Sequence, residues 1–90
     1  MGAKEQWRLA VQRLVKSEMS VRGIKYQELS ERLARQGVEQ SADNLRNKVN
    51  KGIMGADLLL QILLVINARP VSTELIAEIL SYSSTDKSSE

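Results

Sequence analysis

Residues 26–52 read YQELSERLARQGVEQSADNLRNKVNKG, and the spacing of their apolar positions decides the fold. Tyr26, Leu29, Leu33 and Ala34 recur at helical spacing with Glu28, Glu31, Arg32 and Arg35 between them. This predicts a helix over about 26–36 with Gly37 as its C′ residue. Val38-Glu39-Gln40 then forms a short turn, and Ser41 is a natural N-cap for a helix over 42–50 that stops before Gly52. The large apolar residues of that second helix, Leu45 and Val49, lie one turn apart and define a narrow seam with Ala42 beside it.

Two short helices joined by a Gly-containing turn are the outline of a helix-turn-helix. The second helix gives that outline a chemistry. At about 100° per residue, Asn44, Asn47 and Asn50 sweep an arc of about 120° centred on Asn47, which lies opposite the Leu45/Val49 seam. Arg46 and Lys48 flank the arc, and Lys51 joins it near the C-terminal end. Each Asn costs a helix around 0.6 kcal/mol relative to Ala, so the three together carry a penalty near 2 kcal/mol. A sequence selected for helix stability alone would hold Ala, Glu or Gln there. Asn pairs bidentately with adenine N6/N7 in the major groove, and Arg or Lys reaches guanine O6/N7 or phosphate. Asn44, Asn47, Lys48 and Asn50 are therefore the candidate base contacts. Arg46 and Lys51 are candidate phosphate contacts, together with Lys25 and Gln27 at the start of the preceding helix, where backbone N–H groups favour an anion. The plain alternative is a polar surface helix with solvated lysines. Asp43 would repel phosphate but suits the helix dipole or cytosine N4, and its role stays open.

Outward from this pair, the chain reads as one all-α domain. A first helix over about 4–21 carries Trp7, Ala10, Val11, Leu14, Val15 and Met19 as its inward stripe, with Arg8, Arg13, Lys16 and Glu18 outside it, and Gly23 ends it. Trp7, Tyr26 and Met54 are expected in the core. A fourth helix, about 56–67, is apolar nearly all round and is expected to be the most buried, with Pro70 forbidding its continuation. Ser72 caps a fifth, 73 to about 82, whose Leu75, Ile76, Ile79 and Leu80 form an apolar stripe. That stripe, with Tyr82, is either a dimer face or a surface packed within the monomer. The expected architecture is a compact bundle of about five helices over residues 1–82, followed by a Ser-rich, disordered tail over 83–90.

The chain has 90 residues, 13 Lys and Arg against 11 Asp and Glu, and no His or Cys, so the common proton shuttle, thiolate nucleophile and soft metal ligands are missing. The closest carboxylate pairs, Glu28/Glu31 and Glu74/Glu78, sit at solvated helical spacing, which argues against an enzyme. No cofactor, metal or small-molecule ligand is expected. No run is long and apolar enough for a membrane span and the N-terminus lacks a signal-peptide stretch, so a soluble, cytoplasmic protein is expected. The net charge of +2 conceals an asymmetry: residues 1–52 hold eleven basic and six acidic groups, a net of +5, whereas residues 53–90 carry −3. Such segregation points to a nucleic-acid or other anionic partner.

The stretch Ile24–Val49, with Tyr26-Gln-Glu-Leu-Ser-Glu-Arg-Leu, the Gly37-Val38 turn and the Leu45/Val49 helix, resembles the helix-turn-helix of lambda-repressor/Cro-like regulators, which implies a bundle of about five helices. More specifically, Trp7 with Val11-Gln-Arg-Leu-Val-Lys16, Gly23-Ile-Lys-Tyr26, Asn44-Leu-Arg-Asn-Lys-Val49 and Gly52 resembles a bacterial family of small uncharacterised domains over roughly Trp7 to Ile66. The turn before Leu45 is longer than the repressor pattern. The reading that follows is sequence-specific binding of double-stranded DNA by a small transcriptional regulator, with helix 42–50 in the major groove, basic residues of the first two helices on the backbone, and a homodimer to extend the site read. The alternative is a helical protein-interaction module that does not bind DNA.

Overall fold

A computed structural model describes the backbone of residues 2–88 and the side chains of residues 2–81. Among these residues the chain forms five α-helices and no strand: α1 (Ala3–Val21), α2 (Tyr26–Arg35), α3 (Ala42–Lys51), α4 (Ala56–Val65) and α5 (Thr73–Ser88). The expected tail over 83–90 lies outside the described side chains. No described helix is long and apolar enough to cross a membrane.

The first four helices stop in the same way, on a left-handed residue that lets the next N–H groups turn back onto the last carbonyls. Gly23, Gly37 and Gly52 have φ of +66°, +80° and +64°, and after α4 the position is taken by Asn67 at +56°. After α2, for example, Gly37 N–H donates to the Ala34 carbonyl and Val38 N–H to the Leu33 carbonyl, both at 2.9 Å. Val38 then packs on the core. Two helices start on serine caps: Ser41 Oγ accepts from Asn44 N–H and Ser72 Oγ from Leu75 N–H, each at 3.0 Å.

The core joins Val15 and Met19 of α1, Ile24, Leu29 and Leu33 around α2, Leu45 and Val49 of α3, and Leu58, Ile62 and Ile66 from α4 and its end. α1 packs on α3 and α5, and α2 packs on α3 and α4. α3 is locked to α1 by a backbone approach, because a Cβ at Gly52 would lie 2.0 Å from the Arg8 carbonyl oxygen.

Three expectations about burial are corrected. Trp7 is 54% exposed: full burial on α1 begins at Ala10, and in the turn before it α3 closes on the backbone of Arg8 without covering the Trp7 side chain. Glu18, placed outside the stripe because it is charged, is 1% exposed. By angle it belongs among Leu14, Val15 and Met19, and its carboxylate is satisfied there by two arginines. α4 is not the most buried element. Leu58 and Ile62 are its buried side chains, whereas Leu60 and Leu64, on the opposite side of the wheel, are 67% and 73% exposed. Tyr26 and Met54 are half-buried against the core.

Candidate nucleic-acid interface

α3 is held by its narrow seam. Leu45 and Val49 are fully buried, Ala42 is half-buried, and Asn44, Asn47, Asn50, Arg46 and Lys51 are exposed, with Lys48 half-buried on one flank. Asn44 Nδ2 donates to Gln40 Oε1 at 2.7 Å, which ties the first of the three asparagines to the preceding turn. That turn, residues 36–41, is fixed in its second half by Ser30, whose hydroxyl donates to the Gln40 carbonyl at 2.6 Å. The longer connection is thus pinned at both ends, by the Gly37 stop and by Ser30.

The start of α2 lies beside the start of α3. Lys25 occupies the N-cap position with extended backbone and supplies no side-chain cap, so the first N–H groups of α2 receive nothing from it. An open cleft there is lined by Lys16 and Ser20 of α1, by Lys25, Tyr26 and Gln27, and by Ser41, Asp43 and Arg46. Gln27 Nε2 donates to Glu31 Oε2 at 3.3 Å. Arg46 forms an ion pair with Asp43 and stands 5.3 Å from the centre of the Tyr26 ring. Asp43, whose role sequence left open, is therefore the counter-charge of Arg46. Burial pushes the Tyr26 phenol up, with the Arg46 cation opposing. The ion pair is exposed on both sides and contributes at most about 1 kcal/mol, so a phosphate can replace Asp43 at little cost.

The cleft brings together Lys25, Gln27 and Arg46 among the proposed phosphate contacts. Lys51 lies away from it, at the far end of α3. Asn47 and Asn50 lie outside the cleft on the open face of the helix. Lys16, one of the basic residues that lie outside the apolar stripe of α1, also lines the cleft.

The profile of a family described as a domain of unknown function, DUF6471, matches residues 7–71, more than half of the chain. The chain belongs to the DUF6471 family. The matched region of this DUF6471 protein contains most of α1 and all of α2, α3 and α4, together with the cleft and the asparagine face, and it ends before α5. No curated protein and no solved structure matches the chain.

Outside the family match, α5 packs on α1, with Leu75, Ile76, Ile79 and Leu80 half-buried. The Tyr82 side chain of the proposed dimer stripe lies outside the described residues.

Proposed function

We propose that this DUF6471 protein binds double-stranded DNA as a small, lambda-repressor/Cro-like transcriptional regulator. α3 enters the major groove, and the start of α2 with Lys25 and Gln27 rests on the phosphate backbone. One observation carries the reading: α3 is anchored by Leu45 and Val49 with Asn44, Asn47 and Asn50 on its exposed side, and its first turn shares a cleft with the uncapped start of α2. Asparagine amides suit adenine edges, and helix starts suit phosphate oxygens. Arg46 and Lys51 add phosphate contacts, and Lys48 a base contact from the flank.

Fluorescence anisotropy with a random-sequence duplex tests this at two salt concentrations. Affinity is expected to fall steeply with salt, as phosphate neutralisation requires. Absence of binding at low salt rejects the proposal in favour of a protein-interaction module, a reading that the exposed Leu60 and Leu64 would then favour. In selection from a random duplex pool, Asn47→Ala is expected to relax base preference at about 1–3 kcal/mol, whereas Lys51→Ala lowers affinity for all sequences more evenly. Unchanged selectivity in the Asn47 variant removes that residue from the readout.

A further inference from the structure

α4 carries two apolar faces, and the bundle uses one. Leu58, Ile62 and Ile66 point into the core, and the opposite side of the wheel holds Asp57, Leu60, Leu64 and Asn67 in one outward row. Leu60 and Leu64 are 67% and 73% exposed, one turn apart, and Val71 beside them is 36% exposed. A lone surface leucine requires no explanation, but a contiguous ridge on a domain this small marks a contact surface. Leu64 stands between two shallow depressions, one floored by Leu63, Ala68 and Val71, the other bordered by Arg35 and Gln36.

We infer that this face docks against the same face of a second copy of the chain, with the two α4 helices antiparallel about a two-fold axis between Leu60 and Leu64. Shape and charge both select this occupant. A ridge beside a groove is self-complementary when turned by half a revolution: Leu60 of each copy fills the depression next to Leu64 of the other. The charges are arranged the same way. Asp57 is the single charged residue of α4 and lies at the start of the ridge, whereas Arg35 borders its far end; Arg69, also near that end, is held by Glu18. The two-fold axis brings Asp57 of each copy to the Arg35 end of the other. A parallel pairing would set Asp57 against Asp57. Glu28, the carboxylate on the Arg35 side, is already held by Arg32 at 2.7 and 3.0 Å, so it leaves that end basic. The ridge is small beside the roughly 800 Å² per partner of a standard interface, so the dimer is a weak, concentration-dependent one. None of these residues belongs to the α3 surface, so this inference and the DNA reading fail independently.

Sedimentation equilibrium of the whole chain, from micromolar to millimolar concentration, tests it. A monomer–dimer equilibrium that stops at two copies is expected, and Leu64→Glu is expected to give a monomer at every concentration with unchanged thermal unfolding. Arg35→Glu and Asp57→Arg are each expected to weaken the dimer roughly tenfold, because each reversed pair occurs twice about the axis, and the double variant is expected to restore it. Three results overturn the inference: a wild-type monomer throughout, a dimer indifferent to Leu64→Glu, or no recovery in the double charge swap.

Discussion

Gly52 and Gly37 both sit at positive φ at the end of a helix, yet they differ in what a methyl group would meet. At Gly37 nothing lies within 4 Å of an added Cβ, so Gly37→Ala carries chiefly the left-handed backbone penalty, about 1–2 kcal/mol. At Gly52 the same backbone penalty applies, and the Cβ would overlap the Arg8 backbone, with its carbonyl oxygen at 2.0 Å and its carbon at 2.6 Å. Backbone cannot swing aside as a side-chain end can, so α1 and α3 must separate. Gly52→Ala is therefore expected to cost more than about 4 kcal/mol, enough to unfold much of a domain with ordinary marginal stability. Urea denaturation of the two variants checks this, and equal losses would show that α3 does not close on α1 at Gly52. The sequence carried the helix-stop role of both glycines and the Ser41 and Ser72 caps, because these depend on neighbours a few residues away. The collision at Arg8 is a tertiary approach between residues 44 positions apart, for which local patterning has no signal.

Between elements, the strongest polar tie is the one that patterning assigned to solvent. Glu18 of α1 accepts from Arg22 Nη1 at 2.7 Å, from Arg69 Nη2 at 2.7 Å and Nε at 2.9 Å, and from the Arg69 backbone N–H at 3.2 Å. Arg22 Nε also donates to the Asn67 carbonyl at 3.1 Å, so this cluster clamps the segment after α4 onto the end of α1. Periodicity placed the helices, apart from α5 continuing past its expected end near 82 to Ser88, but not their exposure, since burial of Glu18, like exposure of Trp7 and of Leu60 and Leu64, depends on which neighbour covers which turn. Burial alone would push the Glu18 carboxyl up, but the hydrogen bonds from Arg69 and Arg22 outweigh it and hold the carboxyl below its ordinary range. The folded state thus binds the proton less readily than the unfolded chain. The contribution of Glu18 to stability is full above the ordinary Glu range near pH 4.3 and is lost as pH falls through the depressed folded value. Glu18→Gln keeps the shape but leaves Arg22 and Arg69 facing a neutral amide. It is expected to cost about 1–3 kcal/mol at neutral pH and to flatten the acid limb of stability against pH. Urea midpoints of both proteins across the acid range test this; parallel curves would remove Glu18 as a source of that limb.

For the whole molecule, the ion pairs described above change what the charge asymmetry means. Residues 1–52 carry a net +5, but Arg22 answers Glu18, Arg32 answers Glu28 and Arg46 answers Asp43. These arginines stand against carboxylates of the same half, which leaves its net charge at +5, and the charge proposed for the phosphate backbone rests on Lys25 and Lys51, with Arg46 available once it leaves Asp43. Three phosphate-neutralising cations predict a slope of log affinity against log salt of about −2.7 per protomer, from roughly −0.9 for each contact on duplex DNA. Lys25→Ala and Lys51→Ala are each expected to reduce that slope by about one, whatever the sequence of the duplex. Asp43→Asn works in the opposite direction: it frees Arg46 from its exposed counter-charge and is expected to raise affinity for random duplex severalfold. Anisotropy titrations of the wild type and these variants at several salt concentrations measure all of this at once. If the slope ignores both lysine substitutions while Asp43→Asn leaves affinity unchanged, the phosphate backbone does not run along the cleft and the α3 end as proposed, and the net +5 of residues 1–52 faces something else.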